Sequence, residues 1–391
     1  MKKVSEAEKL IYENCTTTKV KLLNVKDAYG YVLAEAIFSK IDTPPFDQSA
    51  MDGYAFSFSD WDKKSILTIT SEIQAGSFSS NKLVQNEAVR IYTGAALPLS
   101  ADTVVIQENV IVSNNSISIK DEQLIQGKNV RLKGSQSKKG ECILDVGHLL
   151  SPASISFIAG TGIDKIKVFS NPTISIIVTG KELVQPGNEI TEGKIYESNS
   201  FGLIAALNQL NISPISVNIV DDIEVDIIHA ISKEIHTDIL IITGGVSVGD
   251  YDFVVSALEK CGVKKVFHKV KQKPGKPFYF GKMDTTLVFA LPGNPAAVLT
   301  CFYRYIVDAI STFTKKKYFE ALNLPLANSY IKKSSLTFIL KGKTDLKEVE
   351  ILEKQESYLM NSFAFANCII ELEEEKIDFN KGDFVKVRMI I

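Results

Sequence analysis

The chain has 391 residues, of which 45% are hydrophobic and 23% are charged, and its formal net charge at pH 7 is −2. This length exceeds what one hydrophobic core supports and predicts a globular protein of two to four domains. A net charge so close to zero gives no reason to expect a nucleic acid or an anionic membrane as a partner.

The cysteines and the N-terminal segment indicate a cytoplasmic protein. The five cysteines and four histidines form no Cys-x-x-Cys motif and no zinc-site spacing, so free thiols in a reducing compartment are expected. The first residues, M-K-K-V-S-E-A-E-K-L, lack the apolar core of a signal peptide. No apolar run approaches the length of a membrane-spanning helix.

The N-terminal part of the chain combines helical patterns with short strands. Leu10 and Ile11 share one face of a helical pattern, and two consecutive prolines, Pro44 and Pro45, block a helix or a central strand further on. Between residues 66 and 120, short β-branched runs alternate with turn signals, which favours a small barrel or sandwich. A short helix is predicted at 151–159.

Beyond Asn171-Pro172 the pattern changes to alternating strands and helices. Strands are predicted at 173–178, 215–220 and 238–243, and helices at 198–210 and 224–235. This alternation predicts a doubly wound α/β domain, in which ligands bind at the carboxyl ends of the strands. A further helix follows L-P-G-N-P (291–295), with Asn294 as its predicted N-cap and Pro295 as its first residue. After about residue 315, short strands predict a small all-β domain.

Glycines and carboxylates follow three of the predicted strands. They are Glu182 in T-G-K-E-L (179–183), Asp221-Asp222, and the segment G-G-V-S-V-G-D-Y-D (244–252). A glycine-rich turn before a helix exposes backbone N–H groups to an anion, and carboxylates beside a phosphate imply a divalent cation. Each loop alone could be a solvated loop or a helix cap, but their convergence at one sheet edge favours a binding site.

A turn with two lysines, K-P-G-K-P (273–277), follows the α/β pattern. Proline and glycine make this turn rigid and open to a ligand, with Lys269 as a third cation nearby. An ordinary basic hairpin turn is the alternative. Likewise, the segment 291–295 is either a simple strand-to-helix turn or an oxyanion site. Far upstream, Asp52-Gly53 predicts a hairpin turn, although the flanking residues are unusually apolar.

Seven segments, in this order along the chain, resemble the molybdopterin molybdenumtransferase family, of the MoeA type that is related to the E domain of gephyrin. They are S-A-M-D-G-Y-A (49–55), Y-T-G-A (92–95), T-G-x-E-L-x-x-P-G (179–187), I-Y-E-S-N (195–199), G-G-V-S-V-G-D-Y-D (244–252), K-P-G-K-P-F (273–278) and L-P-G-N-P (291–295). The resemblance implies a multidomain α/β plus β fold and an elongated homodimer with its active site at the subunit interface. Its implied domains are an N-terminal linking domain (1–43 and 137–170), a β-rich insert (44–136), an α/β molybdopterin-binding domain (171–316) and a C-terminal β-barrel-like domain (317–391).

The resemblance also implies a reaction, the insertion of molybdate into adenylylated molybdopterin with help from Mg²⁺ and release of AMP, in the last common step of molybdenum cofactor biosynthesis. The implied catalytic residues are Asp52, Thr93, Glu182, Asp221 and Asp252, and the implied Mg²⁺ ligands are Glu182, Asp221 and Asp252. The implied substrate-binding residues are Gly244, Gly245, Ser247, Gly249, Lys269, Lys273, Lys276, Pro292, Pro295, Lys341 and Ser357.

Three positions depart from the family pattern. Lys181 stands where aspartate is common, Gln136 lies where an acidic residue usually follows R-x-x-G, and Lys341 replaces a frequent arginine. The departures at Lys181 and Gln136 favour a low-turnover, pterin-binding dimeric scaffold as an alternative. A molybdopterin adenylyltransferase is a second alternative, but such enzymes lack the β-rich insert and the C-terminal β-domain. The acidic residues that the resemblance names are all retained, which favours an active enzyme.

Overall fold

The structure, a computed structural model, describes residues 1–15, 18–78, 82–246 and 253–391. The chain forms two compact units, one of residues Leu22–Val168 and one that joins Met1–Lys21 to Phe169–Ile391. Each unit has hydrophobic clusters of its own.

The unit Leu22–Val168 is built around one six-stranded sheet. Its strands, in spatial order, are Thr103–Ile106, Gly53–Phe56, Glu87–Ile91, Leu67–Ile73, Ser116–Ile119 and Val110–Ser113. One pair of neighbours, Leu67–Ile73 and Glu87–Ile91, is parallel and the other pairs are antiparallel. Consecutive residues of a strand, such as Ala55 and Phe56, belong to different hydrophobic clusters, because successive side chains point to opposite faces of the sheet. The expected barrel or sandwich is therefore a single mixed sheet.

Shorter elements complete this unit. The helix Pro152–Gly160 begins at the predicted place, because the Ser151 hydroxyl accepts the Ser154 N–H at 3.1 Å. Short turns of 3₁₀ helix lie at Val25–Asp27, Phe58–Asp60 and Gln107–Asn109. The two-stranded pairs within it are Gln48–Ser49 with Val130–Arg131 and Ile37–Phe38 with Cys142–Leu144. A further pair, Val20–Asn24 with Lys165–Phe169, includes residues of both units.

The second unit contains the predicted α/β domain. Its six-stranded sheet has the spatial order Ser216–Val220, Ile174–Thr179, Ile239–Thr243, Thr286–Leu291, Tyr279–Met283 and Lys264–His268. The first four strands are parallel to one another. Tyr279–Met283 is antiparallel to both of its neighbours, Thr286–Leu291 and Lys264–His268. Helices cover both faces and bury two hydrophobic clusters against the sheet, so the doubly wound arrangement is confirmed. The helices are Val4–Asn14, Asn199–Gln209, Glu224–Glu234, Phe253–Lys260 and Pro295–Thr314.

The last of these helices corrects an expectation drawn from the sequence. Pro295–Thr314 has 20 residues, and an 18-residue stretch of it has a mean hydropathy of 1.2, which by length and composition suffices to span a membrane. Its middle turn, Phe302–Ile306, is a π-helix. The helix is 78% buried within the protein over its most apolar stretch, as is typical of the core helix of a soluble protein.

The C-terminal residues form a second β-sheet in this unit. In spatial order its strands are Gln272–Lys273, Thr337–Thr344, Cys368–Leu372, Phe384–Met389 and Ala321–Pro325, and Val349–Ile351 pairs with Thr337–Thr344. The pair Tyr330–Ile331 with Asp378–Phe379 and the helix Asn361–Phe365 complete it. The edge strand Gln272–Lys273 comes from the lysine-containing turn, so part of that turn belongs to the C-terminal sheet.

Candidate active site

A cleft of about 530 Å³ lies at the carboxyl ends of the parallel strands of the α/β domain. This is the place where ligands bind in doubly wound sheets, since several loops converge there. Four short segments, 179–183, 195–199, 244–246 and 292–295, supply most of its wall. The lining residues are Thr179, Glu182, Leu183, Ile195, Tyr196, Glu197, Ser198, Asn199, Asp222, Gly244, Gly245, Val246, Pro277, Pro292, Gly293, Asn294, Pro295 and Tyr358.

Three carboxylates make the lining of this cleft acidic. Glu182 and Asp222 follow two parallel strands, and Glu197 precedes the helix Asn199–Gln209. Glu197 is almost fully buried and accepts hydrogen bonds from the N–H and the hydroxyl of Ser200. Asp222 Oδ1 is buried without a hydrogen-bond partner among the described residues. Buried polar atoms are nearly always satisfied in native proteins, so this atom is available to a ligand or an ion.

The two glycines after the strand Ile239–Thr243 pack against protein atoms. Gly244 and Gly245 have φ angles of +94° and +59°, which favour glycine. A Cβ on Gly244 would lie 2.3 Å from the carbonyl oxygen of Thr179, and one on Gly245 would lie 2.8 Å from Val254. The loop therefore touches the neighbouring strand end. The predicted site residues Ser247, Gly249 and Asp252, together with the possible helix cap Asp250, lie outside the described residues.

The helix Pro295–Thr314 begins at the cleft, but its cap differs from the predicted one. The Asn294 side chain does not cap the helix; its amide donates to the Ser357 hydroxyl at 3.0 Å. The carbonyl of Ser357 instead accepts the N–H groups of Ala296 and Ala297 at 3.1 and 3.3 Å. Pro295 is the first helical residue, as predicted. A residue of the C-terminal sheet domain thus satisfies the helix N-terminus, and two N–H groups near the predicted oxyanion site are occupied.

The lysine-containing turn lies beside the cleft only in part. Pro277 lines the cleft, whereas Lys273 and Lys276 are exposed and are not among its lining residues. The Lys273 ammonium lies 5.5 Å from the centre of the Phe338 ring, and Lys269 is half-buried. A Cβ on Gly275 would lie 2.6 Å from the Cys301 sulfur, so this glycine permits helix packing and not the predicted approach of a ligand.

Lys341 is buried inside the C-terminal sheet domain. Its side chain is only about 1% exposed, and its ammonium lies 3.4 Å from the carbonyl oxygen of Glu356. The Gln355 side chain accepts the Lys341 N–H at 3.0 Å and donates to its carbonyl at 2.9 Å. Burial lowers the pKa of Lys341 to about 8. These contacts connect Lys341 to the segment 355–358, which carries Ser357 and the cleft residue Tyr358.

We expect Lys341→Met to change how stability depends on pH. The folded-state pKa of Lys341 lies below that of an unfolded lysine, so the unfolded chain binds more protons than the folded chain between about pH 8 and 10.4. The free energy of unfolding of the wild-type protein therefore rises with pH in this range. Below pH 8 the buried charge is present, so the methionine variant should be more stable than wild type by about 1–3 kcal/mol at pH 7. Urea unfolding of both proteins from pH 7 to 10 measures the difference. If the difference in free energy of unfolding between the two proteins does not shrink as the pH rises, the pKa of Lys341 is not lowered by burial.

Asp52 and Thr93, which the resemblance predicts to be catalytic, lie in contact in the unit Leu22–Val168. Both the N–H and the hydroxyl of Thr93 donate to Asp52 Oδ1 at 2.8 Å. The Thr93 N–H, its hydroxyl and the Arg90 charge lower the pKa of Asp52. The Asp52-Gly53 pair does not form the predicted hairpin turn, because the strand Gly53–Phe56 pairs with Glu87–Ile91 and Thr103–Ile106.

Arg90, on the neighbouring strand Glu87–Ile91, holds the backbone next to Asp52. Its guanidinium carbon lies 5.0 Å from the ring centres of both Tyr54 and Tyr92. It also donates to the Gly53 carbonyl at 3.3 Å and to the Gln107 side chain at 2.6 Å. The segment around Asp52 is therefore held from both sides while the carboxylate remains partly accessible to solvent.

Comparisons with known proteins cover nearly the whole chain. Residues 2–162 match the MoeA N-terminal region (domain I and II), 175–312 a probable molybdopterin binding domain, and 323–390 the MoeA C-terminal region (domain IV). The molybdopterin molybdenumtransferase of Haemophilus influenzae is 33% identical over 380 residues, 95% of this chain and 94% of that protein. The chain belongs to the molybdopterin molybdenumtransferase family. A Nostoc member is 36% identical over 299 residues, covering 74% of this chain and 68% of that protein.

Solved structures of this family have the same fold. The crystal structure of a molybdopterin biosynthesis MoeA protein from Pyrococcus horikoshii is 28% identical, with a TM-score of 0.85 over 100% of this chain and 99% of that one. Another crystal structure of a molybdopterin biosynthesis MoeA protein, from Pyrococcus horikoshii OT3, has a TM-score of 0.80 at 27% identity, over 100% of both chains. The predicted multidomain fold of the family is therefore confirmed.

The predicted Mg²⁺ ligands are not brought together in the described part of the chain. Within the described ranges, no group of three or more His, Cys, Asp or Glu side chains could hold an ion. Of the predicted ligands, Glu182 lines the cleft, Asp221 is exposed at a strand end, and Asp252 is outside the described residues. The neighbouring Asp222 lines the cleft in place of Asp221.

Sequence reasoning missed several residues of the cleft. These residues are Tyr196, Glu197 and Asn199 of the family motif I-Y-E-S-N. Tyr196 and Glu197 precede the helix Asn199–Gln209 and Asn199 begins it, so none of the three follows a strand of the main sheet. Asn199 Oδ1 is buried without a partner among the described residues, while its amide donates to the Gly293 carbonyl at 2.8 Å. The motif itself was the signal that could have pointed to these side chains.

Proposed function

We propose that this chain is a molybdopterin molybdenumtransferase, which inserts molybdate into adenylylated molybdopterin and releases AMP. The observation that carries the proposal is the acidic cleft at the carboxyl edge of the sheet, within the residues that match a molybdopterin binding domain. The cleft has the size of a small-molecule site, and Gly244 and Gly245 form part of its wall.

We include Mg²⁺ in the proposed reaction because of the negative charge of the cleft. Its described lining contains three carboxylates and no lysine, arginine or histidine, so an anionic nucleotide would be repelled without a cation. Glu182 and Asp222 provide the oxygen donors that Mg²⁺ prefers, and the unpaired Oδ1 of Asp222 fits such a ligand. We assign Glu182 and Asp222 to this role, with Asp221 and Asp252 as further candidates. The bound ion would neutralise phosphate charge when the adenylate bond is cleaved.

Other residues receive roles by the same proposal. Gly244, Gly245, Ser247 and Gly249 would contact the nucleotide-bearing pterin, and Lys269, Lys273 and Lys276 would attract molybdate from beside the cleft. Pro292 and Pro295 lie on the cleft wall, where they would shape the oxyanion site. We also propose a cytoplasmic homodimer of four-domain subunits, in which Asp52 and Thr93 of one subunit act on substrate bound to the other.

The test is AMP release from adenylylated molybdopterin by the purified protein. We expect release to require both molybdate and Mg²⁺, because the bond is cleaved as the oxyanion is inserted. Tight binding of the substrate without molybdate-dependent release would contradict the enzyme and favour the low-turnover scaffold. Variants with Lys181→Asp or Gln136→Glu then test whether those departures from the family pattern limit turnover.

A further inference from the structure

Two tyrosines with exposed rings line the acidic cleft. Tyr196 is 46% exposed and Tyr358 is 64% exposed. Most of the remaining lining is acidic, amide-bearing, hydroxylated or glycine, and these two rings are the aromatic side chains of the described lining. Within the described ranges, neither ring packs against another aromatic ring. An exposed tyrosine alone is ordinary on a protein surface, but two in one small cleft are suited to a planar ligand.

The backbone holds Tyr196 in place before any ligand arrives. Ile195–Tyr196 pairs in parallel with Leu183–Val184, which follows directly on the strand end that supplies Glu182. The Tyr196 hydroxyl donates to the carbonyl of Asn188 at 3.0 Å. This ring is thus tied at its backbone and at its tip, so little conformational entropy remains to be lost on binding.

Tyr358 is held through its neighbour Ser357. The Ser357 carbonyl accepts two N–H groups from the start of the helix Pro295–Thr314, and its hydroxyl accepts the Asn294 amide. The buried Lys341 and the Gln355 side chain hold the preceding residues of the same segment. These contacts fix the segment that carries Tyr358 and leave its ring free at the edge of the cleft.

We infer that Tyr196 and Tyr358 bind a planar heteroaromatic ring of the substrate by stacking, and that Ser357 and Lys341 hold the segment that carries Tyr358. The inference rests on the proposed function, whose substrate carries two such rings, adenine and pterin. An acidic cleft provides no direct charge attraction for an anionic ligand. Ring stacking therefore supplies affinity that charge does not, and it is independent of the metal.

The experiment compares ligands with and without a ring. Wild type, Tyr358→Ala and Tyr358→Phe are titrated calorimetrically with AMP, with neopterin and with ribose 5-phosphate, all with Mg²⁺. We expect Tyr358→Ala to weaken binding of AMP or neopterin by about 5- to 150-fold, as loss of a base-stacking residue does. Tyr358→Phe keeps the ring and should bind within about twofold of wild type. Ribose 5-phosphate has no ring, so its affinity should be the same in all three proteins.

The outcomes separate the possibilities. A loss confined to AMP assigns the tyrosine to adenine, and a loss confined to neopterin assigns it to the pterin. Unchanged affinity for both ring ligands, or an equal loss for ribose 5-phosphate, overturns the inference. Because Tyr358 is largely exposed, its replacement should leave the melting temperature unchanged. The same titrations with Tyr196→Leu test the second tyrosine of the cleft. Ring binding with no AMP release from adenylylated molybdopterin would refute the proposed function and leave this inference standing.

Discussion

Asp52→Ala should lower molybdate-dependent AMP release by about 10²- to 10⁴-fold, the range measured when a positioned catalytic carboxylate or charge-stabilising group is removed. The carboxylate is partly exposed, and its described hydrogen bonds come from Thr93 alone, so no packed core depends on it. Asp52→Asn should lose nearly as much activity, because the amide keeps the shape and the acceptor oxygen but lacks the charge. The measurement is AMP release under single-turnover conditions.

The adjacent glycine provides a matched control for folding. A Cβ on Gly53 would lie 2.0 Å from the carbonyl oxygen of Val105 on the neighbouring strand, so Gly53→Ala should unfold or rearrange the sheet. Asp52→Ala should melt at the wild-type temperature. If Asp52→Ala melts as early as the Gly53 variant, its role is structural and the catalytic assignment fails.

Thr93→Val tests whether the Thr93 hydroxyl lowers the pKa of Asp52. The Thr93 N–H is the largest of the contacts that lower the pKa of Asp52, followed by the Thr93 hydroxyl and then Arg90. The valine variant keeps the N–H and removes the hydroxyl, so the pKa of Asp52 should rise and the acid limb of the activity profile should move to higher pH. At neutral pH the carboxylate stays ionised in both proteins. An unchanged acid limb would show that Asp52 does not set it.

The local part of the fold could be predicted from the sequence. Strands such as Ser216–Val220 and Ile239–Thr243 are short β-branched runs between turn signals, and the helix Glu224–Glu234 has a clear apolar periodicity. The structure places these elements within one or two residues of the predicted bounds. Such patterns depend on neighbouring residues alone, which is why the order of the α/β elements was accessible.

Contacts between distant segments could not be predicted in this way. Gln272–Lys273 becomes an edge strand only because Thr337–Thr344 offers it a partner. At the start of the helix Pro295–Thr314, Asn294 is a good local cap, yet the distant carbonyl of Ser357 takes the free N–H groups. Tertiary packing overrides a local preference in both cases.

The same distinction applies to the candidate site. The rule that ligands bind at the carboxyl ends of parallel strands found Glu182 and the Gly244 loop. It could not choose between Asp221 and Asp222, because one residue of shift in a loop changes which side chain enters the cleft. It also missed Glu197 and Tyr358, which reach the cleft from a helix start and from the C-terminal sheet domain.

Gly244→Ala should cause one of the largest losses of stability that a single methyl group can produce in this protein. Its φ of +94° costs about 1–3 kcal/mol for a residue with a side chain. The new methyl group would also lie 2.3 Å from the carbonyl oxygen of Thr179, where backbone on both sides resists movement and overpacking costs a further amount of about 1–3 kcal/mol. The free energy of unfolding in urea measures the total.

Gly382→Ala separates the two contributions, since Gly382 has a similar φ of +89° but no atom within 4 Å of the position that a Cβ would take. The free energy of unfolding that Gly382→Ala loses should equal the conformational cost alone. Gly244→Ala should lose this cost and, in addition, the cost of the clash with Thr179. AMP binding should weaken only in the Gly244 variant, because the displaced loop forms part of the cleft wall. Equal losses in the two variants would mean that the loop can move away from Thr179 without cost. The close approach of these two strand ends would then not be what shapes the cleft.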